Sequence, residues 1–258
     1  MEDKKPLIFI TNDDGFQAKG IKTLVNALKD LGDIVVVAPD GPRSGMSSAI
    51  TSLVPLRYHL VEKKDNVTLY SCSGTPVDCV KLGLSEIVER TPDLLVTGIN
   101  HGSNASICVL YSGTMGAAIE GCIFDVPSIG FSLTNHHPEA DFRNAEKVAR
   151  RLSHEVLKTG LPKGICLNVN IPDVEDLKGI KVCRQTEGKW TEEFKRSEDG
   201  GNKTVFWLTG YFDNAEPNNQ DTDEWALANN YVTVVPTKVD MTAHEFIKTA
   251  KVWENLTL

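Results

Sequence analysis

The sequence lacks the long apolar run that a membrane-spanning helix requires. Such a helix needs about 18 or more consecutive apolar residues, and none of the 258 residues falls in a run of that kind. The first ten residues, MEDKKPLIFI, pass from charged residues directly into a short apolar run. They do not have the extended apolar segment and small-residue cleavage site of a signal peptide. We therefore expect a cytoplasmic protein with no membrane partner.

Basic charge is also scarce in this chain. It has 27 Lys and Arg against 35 Asp and Glu, which gives a formal net charge of −8 at pH 7. Nucleic acids and anionic membranes bind basic surfaces, so the composition argues against a nucleic-acid polymer as a partner. A small phosphate could still bind through a metal ion, because the ion brings its own positive charge.

The cysteines lack the spacing of a zinc or redox motif. There are six, with no CxxC among them: Cys72, Cys79, Cys108, Cys122, Cys166 and Cys183. Most of them stand among apolar residues. This pattern favours buried free thiols in a reducing cytosol over a zinc site or a set of disulfides.

An alternation of apolar runs and amphipathic stretches predicts an α/β fold. Residues 7–11 and 34–39 have the composition of fully buried strands, and 18–29 places its apolar residues on one face of a helix. This order favours a right-handed parallel strand–helix–strand unit. The same rhythm predicts strands at 67–72, 93–100, 126–132 and 165–172, and helices from Pro76, at 112–124 and at 141–158. Thr75 and Asp78 have the spacing of a capping box at the start of the first of these helices.

The rhythm changes after residue 172. The predicted elements there are half-exposed strands at 181–186 and 203–212 joined by a polar linker, a helix and strand within 221–236, and a last helix at 243–253. We therefore predict a Rossmann-like, doubly wound, mostly parallel sheet over 1–172 and a C-terminal extension with hairpins over 173–258. Projecting hairpins often pair between subunits, which favours a homo-oligomer.

Candidate functional groups follow the predicted parallel strands. In a doubly wound sheet, ligands bind beyond the carboxyl ends of the strands. The segments 12–15, 40–48 and 98–104 follow three such strands and are rich in glycine and oxygen ligands, and 111–114 opens a helix. All four segments are predicted to meet at one edge of the sheet.

Two adjacent aspartates, Asp13 and Asp14, directly follow the first strand. Like charges repel, but on a turn just past a strand both carboxylates can face a single ion. Mg²⁺ and Mn²⁺ prefer carboxylate, amide, hydroxyl and water oxygens, so a serine and an asparagine oxygen would complete a partial shell. Without the ion, mutual repulsion should raise the apparent pKa of the pair.

Each candidate residue also has an ordinary structural interpretation. An Asp-Asp pair can form a turn or cap a helix, Ser44 can form a turn, and Asn100 can adopt a left-handed turn conformation. Residues 112–114 can cap a helix N-terminus. Their gathering at one edge favours a metal and phosphate site, because free N–H groups at a helix N-terminus beside a divalent cation suit a phosphate.

Five segments carry a resemblance to a known family. In chain order they are TNDDGFQAKGI, VVVAPDGPRSG, SGTPVDCVKLGL, VTGINHGSN and YSGTMGAAIEG. Their order and spacing resemble the SurE family of stationary-phase survival proteins. Those proteins are metal-dependent phosphatases that act as 5'-nucleotidases, many also cleaving 3'-nucleotides and some polyphosphate. The resemblance runs from Leu7 to about Ile171, and the region of Trp190 and YVTVVP is also similar to the family's C-terminal part.

The resemblance implies an enzyme with a defined set of site residues. It implies one divalent ion per subunit, Mg²⁺ or Mn²⁺, with the ligands Asp13, Asp14, Ser44 and Asn100. It implies a phosphate-binding set of Asn104, Ser112, Gly113 and Thr114. The expected reaction is hydrolysis of a nucleoside 5'-monophosphate with Asp13 and Asp14 as catalytic residues, Asp13 being our candidate for a nucleophile or general base. The expected assembly is a homodimer or homotetramer with an exchanged C-terminal extension.

One position departs from the family pattern. Family members commonly have a glycine two residues after the second loop asparagine, where this chain has Ser106. The departure leaves the shape of the loop 101–111 open, although it does not alter the ligand set. The segment 45–48 is also variable in the family and is a candidate for influencing substrate preference.

Other functions fit parts of the pattern less well. A phospho-acceptor receiver domain, which we keep as the alternative, also gathers acids after its first strand. It is about half as long as this chain and needs an aspartate after a middle strand, where Gly98 and Asn100 stand. A dinucleotide-binding module would need GxGxxG, but Gly15 is the one glycine in the first turn. A haloacid-dehalogenase-type phosphatase would need DxD after the first strand instead of adjacent aspartates.

Overall fold

The structure is a computed structural model that describes residues 5–256. The strands in this part of the chain are β1 (Leu7–Thr11), β2 (Asp33–Pro39), β3 (Tyr58–Lys64), β4 (Val67–Cys72), β5 (Leu94–His101), β6 (Ser128–Leu133), β7 (Ile165–Ile171), β8 (Gly179–Val182), β9 (Gly188–Thr191), β10 (Phe194–Glu198), β11 (Thr204–Leu208), β12 (Tyr211–Asn214) and β13 (Tyr231–Lys238). The helices are α1 (Lys19–Leu28), α2 (Pro76–Leu82), α3 (Gly113–Ile123), α4 (Arg143–Thr159), α5 (Asp223–Ala228) and α6 (His244–Ala250). Short π or 3-10 helical segments lie at Gly83–Ile87, Ser106–Leu110 and Lys251–Asn255.

Nine strands form one central sheet in the order β3-β4-β2-β1-β5-β6-β7-β13-β8. Neighbours from β4 to β7 in this order are parallel. The strand β3 is antiparallel at one edge, β13 is antiparallel to β7, and β8 is parallel to β13 at the other edge. The predicted doubly wound, mostly parallel α/β sheet is therefore confirmed, together with the hairpins of the extension.

The central strands are buried because helices cover both faces of the sheet. On β1, Ile8 and Ile10 pack on the side of α1 and α4, whereas Phe9 packs on the side of α2 and α3. Successive residues of a strand point to opposite faces, so a short strand contributes to two cores. Full burial of each such side chain stabilises the fold by about 1.5–3 kcal/mol. This packing fixes the register of β1 and hence the position of the residues that follow it.

The core elements lie close to their predicted bounds. The strands β1 and β4 match the prediction, and the capping box is present: Asp78 N donates to Thr75 Oγ1 at 3.1 Å and Thr75 N donates to Asp78 Oδ2 at 2.9 Å. The prediction missed β3, whose residues YHLVEKK are all exposed. This strand pairs with β4 through its backbone, so its side chains lack the apolar run that marks the buried strands.

The extension differs more from its prediction. The strand predicted at 181–186 is the shorter β8, and the one predicted at 203–212 is divided into β11 and β12, with Gly210 at φ +102° between them. The predicted polar linker contains β9 and β10. The strand β9 pairs with β12, and β10 pairs with β11. These two antiparallel pairs form an arm, residues 188–214. The sequences of β9 and β10, GKWT and FKRSE, are short and contain no run of apolar residues, so they gave no strand pattern.

The predicted C-terminal extension, residues 173–258, also contributes strands to the central sheet. Both β8 and β13 lie after residue 172, yet β13 pairs with β7. The boundary at 172/173 stays a prediction. Within residues 5–256, no helix is both long and apolar enough to cross a lipid bilayer.

Helix α5 packs against β13 with two acids at its start, Asp223 and Glu224. Glu224 is half-buried, and its surroundings raise its pKa to about 7, first through burial and then through the neighbouring charge of Asp223. Burial penalises the ionised form of a carboxyl group. The folded protein therefore binds the Glu224 proton more tightly than the unfolded chain does.

We expect Glu224→Gln to stabilise the protein above pH 7. As the pH rises from 4.5 to about 7, the unfolded chain releases the Glu224 proton before the folded protein does, so wild-type stability falls over this window. The variant has no such proton to lose. Its melting temperature should exceed that of the wild type at about pH 8 and approach it near pH 4.5. Glu198→Gln, at an exposed position of β10, is the matched control, and an equal shift in both variants would contradict the assignment.

Candidate active site

The carboxyl ends of β1, β2 and β5 meet the start of α3 at one edge of the sheet. The backbone N–H of Arg43 donates to the carbonyl of Asp13 at 2.7 Å, which ties the loop that carries Ser44 to the backbone of Asp13. The backbone N–H of His101, after Asn100, lies near the Asp14 carboxylate and opposes the rise in pKa that burial of Asp14 causes. The four predicted metal ligands therefore come from three loops that contact one another.

Asp13 is the most buried of these groups, with 4% of its surface exposed. Burial is the main reason that its pKa rises to about 6, and the Asp14 charge raises it further, while a hydrogen bond from Thr114 lowers it. The sequence predicted a raised pKa from repulsion within the pair. The direction is confirmed, but desolvation is the larger cause.

The first turn of α3 closes directly on the Asp13 carboxylate. Thr114 Oγ1 donates to Asp13 Oδ1 at 2.6 Å. A Cβ at Gly113 would lie 3.0 Å from Asp13 Cβ and 3.3 Å from Asp13 Oδ2. Glycine therefore allows the helix and the carboxylate to approach this closely.

Buried oxygens around the pair fit a hard cation. In the part of the chain that the structure describes, Asp14 Oδ2 and Asn12 Oδ1 are buried without a hydrogen-bond partner. Asn100 donates Nδ2 to the Gly102 carbonyl at 2.9 Å, which orients its amide and leaves Oδ1 as its acceptor. Buried acceptors without donors are costly. A divalent cation that binds oxygen would satisfy such a set.

The predicted ligand set consists of oxygen donors only. Between residues 5 and 256, no group of three or more His, Cys, Asp or Glu side chains could hold a metal. The candidate set instead combines two carboxylates with an amide and a hydroxyl. Carboxylate, amide and hydroxyl oxygens suit Mg²⁺ and Mn²⁺ better than metals that prefer nitrogen or sulfur.

Ser44 lies on an exposed loop that rests against α3. Ser47, in the same loop, donates Oγ to the Leu110 carbonyl at 2.6 Å. A Cβ at Gly116 of α3 would lie 2.5 Å from the Ser47 carbonyl oxygen. The loop can take this position because Gly116 has no side chain.

Three of the four predicted phosphate-binding residues also have hydrogen-bond partners within the protein. Ser112 is the N-cap of α3 and accepts a hydrogen bond from Met115 N at 3.0 Å, as the capping interpretation predicts. Thr114 is bonded to Asp13, and Asn104 donates Nδ2 to Ser132 Oγ at 2.8 Å. Their role toward phosphate, and that of Gly113, stays a prediction. The start of α3 also has backbone N–H groups that the helix itself does not use.

Two asparagines of β7 support the loop after β5, and sequence reasoning did not identify them. Asn168 Nδ2 donates to the Asn104 carbonyl at 2.8 Å, and Asn170 Oδ1 accepts from the Asn104 N–H at 2.7 Å. Asn170 also donates to Asn168 Oδ1 at 3.0 Å. Buried amides within an otherwise apolar strand are the sequence signal that could have revealed them, because buried polar groups need partners.

The family model described as Survival protein SurE matches residues 8–192. The chain belongs to the SurE family. It is 52% identical to a protein named 5'-nucleotidase SurE from Phocaeicola vulgatus, over 98% of both chains. It is 53% identical to a protein of the same name from Bacteroides thetaiotaomicron, over 96% of this chain and 95% of that one.

A solved structure of the same family has the same fold. The crystal structure of the SurE protein from Aquifex aeolicus is 37% identical, with a TM-score of 0.85, covering 97% of this chain and 100% of that one. The SurE resemblance read from the five sequence segments is therefore confirmed over nearly the whole chain.

We expect Gly116→Ala to displace the loop that carries Ser44. The added methyl group would overlap the Ser47 carbonyl, whereas alanine favours a helix more than glycine does. The affinity for Mn²⁺, measured by isothermal titration calorimetry, should fall about 10-fold, as for other changes just outside a ligand set. Circular dichroism should show an unchanged helix content.

The control for this variant is Gly200→Ala. A Cβ at Gly200, between β10 and β11, would have no neighbour within 4 Å, so its Mn²⁺ affinity should equal that of the wild type. Equal affinities for all three proteins would show that Gly116 does not set the position of Ser44.

Proposed function

We propose that the protein is a metal-dependent phosphatase that hydrolyses nucleoside 5'-monophosphates to nucleoside and phosphate. The observation that carries the proposal is the pair of carboxylates beside the start of α3, with Asp13 buried, Asp14 half-buried and two buried oxygens, Asp14 Oδ2 and Asn12 Oδ1, without a partner among the described residues. The name 5'-nucleotidase, given to relatives about 50% identical to this chain, supports the nucleotide as substrate.

The proposed ligands of one Mg²⁺ or Mn²⁺ per subunit are Asp13, Asp14, Ser44 and Asn100. When bound, the ion would supply positive charge to the phosphoryl oxygens and make a water molecule more acidic. Backbone N–H groups in the first turn of α3, together with the Ser112 hydroxyl, are suited to hydrogen-bond the same oxygens. Gly113 keeps this turn close to the carboxylates, and Asn104 shapes the neighbouring loop.

Asp13 is our candidate for the group that acts on the reacting phosphorus centre. As a general base it would take a proton from the water that attacks phosphorus and displaces the nucleoside oxygen. As a nucleophile it would attack phosphorus itself and displace the nucleoside oxygen, and water would then hydrolyse the aspartyl-phosphate to release phosphate. Thr114 holds Asp13 Oδ1, so the carboxylate has a fixed orientation for either role. Asp14 would act chiefly by holding the ion.

Further substrates are proposed on the same basis. The family resemblance supports 3'-nucleotides and polyphosphate as additional substrates. Residues 45–48, in the loop that carries Ser44, include the exposed Met46 and rest against α3 at Gly116. This segment is our candidate for setting the preference among nucleotides.

A receiver-like signalling function is the less favoured alternative. A receiver would need a phospho-acceptor aspartate after a middle strand, and β5 instead ends with Gly98, Ile99, Asn100 and His101. Incubation with a small phosphodonor distinguishes the two functions. A stable aspartyl-phosphate would favour a receiver, whereas phosphate released from AMP favours the phosphatase.

We also propose that the arm mediates a homodimer or homotetramer. It exposes large apolar side chains, namely Phe194, Phe206, Trp207 and Leu208, each with more than 60% of its surface accessible. An isolated two-stranded hairpin is marginally stable in water, and its free edges tend to pair. A second copy of the chain would cover both the exposed apolar side chains and the free strand edges.

A cytoplasmic location is proposed from the cysteines. All six have free thiols, and five of them are buried. Free thiols persist in reducing compartments, whereas oxidising compartments favour disulfides.

We expect Asp13→Asn to abolish phosphate release from AMP while leaving the fold intact. The variant keeps the shape of the side chain and removes its charge, so activity should fall at least about 10²-fold, the usual effect of losing one electrostatic contact to a transition state. Colorimetric phosphate assays with Mg²⁺ and with Mn²⁺ would measure the change. Asp176→Asn, in an exposed turn before β8, is the control and should retain wild-type activity.

Near-full activity of Asp13→Asn in either metal would refute the assignment of the site. Assaying the wild type with 3'-AMP and with polyphosphate in place of AMP tests the additional substrates. Activity confined to 5'-monophosphates would reject them without affecting the main proposal.

We expect Trp207→Glu to weaken the oligomer. A charge in place of this exposed apolar side chain of β11 would be unfavourable to bury against a second copy. Light scattering coupled to gel filtration should show a mass that falls toward the 28.3 kDa of one chain. Lys203→Glu, at the tip of the arm, is the control. A wild-type mass of 28.3 kDa would contradict the role given to the arm.

A further inference from the structure

The loop between β5 and α3, residues 101–111, is held from two sides. On the side of the sheet, Asn168 and Asn170 of β7 bond to the backbone of Asn104. On the other side, the N–H of Ser106 donates to Asp223 Oδ2 at 2.8 Å, and the two residues are 117 positions apart in the chain. Asp223 is the first residue of α5, so the C-terminal segment contacts the loop directly.

Asp223 is a buried carboxylate whose two oxygens serve different elements. Oδ2 accepts from Ser106, whereas Oδ1 accepts from the N–H and hydroxyl of Thr186 and from the N–H of Glu224. The residue is 1% exposed. Hydrogen bonds to an ionised acceptor are stronger than neutral ones, and loss of one partner is costly in a buried network. Asp223 therefore joins α5 and the segment at Thr186 to the loop.

Ser106 takes a conformation that needs such support. Its φ is +52°, in the left-handed region that L-residues other than glycine, asparagine and aspartate seldom adopt. Its hydroxyl donates to the Thr186 carbonyl at 2.9 Å, and its N–H is the donor to Asp223. Two hydrogen bonds to the C-terminal segment thus hold Ser106 in place. A glycine at this position would accept the same φ without the hydroxyl bond.

A short stretch of chain connects Ser106 to the proposed phosphate site. Ser106 begins a 3-10 helical segment that ends at Leu110, and Tyr111 then connects it to Ser112, the N-cap of α3. On the other side of Ser106, Ala105 connects it to Asn104. A displacement at Ser106 would therefore move both Asn104 and Ser112.

We propose that Asp223 is a positioning residue for substrate binding, acting through Ser106 on the loop 101–111. The inference rests on the proposed function, because it assigns the role to the same phosphate site. Asp223 is not one of the ion's proposed ligands. Its loss should weaken the binding of the phosphate group more than it weakens the binding of the metal.

The decisive experiment compares Asp223→Asn with the wild type. The amide keeps the size of the side chain but replaces one acceptor oxygen with an NH₂ group, which then faces a donor. We expect the KM for AMP and the inhibition constant for inorganic phosphate to rise about 10-fold, since misplaced binding groups cost up to about 100-fold. The kcat should change less, and the Mn²⁺ affinity should stay within about two-fold of wild type, which a general loss of structure would not allow.

Hydrogen exchange gives a readout independent of activity. Peptides covering 101–111 should exchange faster in Asp223→Asn, whereas peptides from β1 should be unchanged. Asp221→Asn is the matched control, because Asp221 lies in the same segment but is exposed and paired with Arg184. It should match the wild type in KM and in exchange.

Ser106 variants keep the proposal testable if Asp223→Asn does not fold. Ser106→Ala removes the hydroxyl bond and keeps the unfavourable φ, so it should raise the KM for AMP. Ser106→Gly removes the same bond, but glycine adopts a φ of +52° without strain. Its KM should therefore lie between those of the wild type and Ser106→Ala. Equal KM values for the wild type and all folded variants would overturn the proposal.

Failure of the proposed function would give a different result. A wild type that releases no phosphate from AMP would refute the phosphatase, yet the exchange rate of 101–111 in Asp223→Asn would still report on the contact. If Asp223→Asn leaves the hydrogen-exchange rate of 101–111 unchanged, the positioning role is overturned, whatever the activity of the wild type. A wild type that hydrolyses AMP with a KM that Asp223→Asn leaves unaltered would reject the positioning role alone.

Discussion

The burial of two adjacent carboxylates at the end of β1 is the constraint on which the rest of the site depends. Two like charges removed from water need donors or a cation, and the surrounding chain supplies only some of the donors. Thr114 donates a hydrogen bond to Asp13, yet Asp14 Oδ2 has no partner within residues 5–256. One carboxylate oxygen of the pair is therefore left without a hydrogen-bond donor in the described part of the chain.

Helix α3 supports the site in three ways at once. Its first turn bonds Asp13, its N-cap is a proposed phosphate ligand, and Gly116 provides room for the loop that carries Ser44. This explains its many small residues, which are poor at marking one apolar face but allow close approach on several sides. The helix is accordingly buried along most of its length.

Features set by local or apolar patterns could be predicted from the sequence. The strand β1 is a continuous apolar run, the Thr75–Asp78 box lies within four residues, and the position of Asp13 follows from the rule for strand ends. Contacts between distant residues could not be predicted in this way. The bond from Thr114 to Asp13 spans 101 positions, and nothing in either residue's neighbours specifies the other. The strands β9 and β10 of the arm were missed because they are short and contain no apolar run.

The contact between Ser106 and Asp223 has a consequence for biosynthesis. A chain that leaves the ribosome from its N-terminus can assemble β1, β2, β5 and α3 before the codons of α5 are translated. The carboxylate pair would thus be in place while Ser106 still lacks Asp223, its partner 117 positions later. On the proposed function, a nascent or C-terminally truncated chain would bind the proposed ion before it binds nucleotide well, and full activity would arise only near the completion of translation.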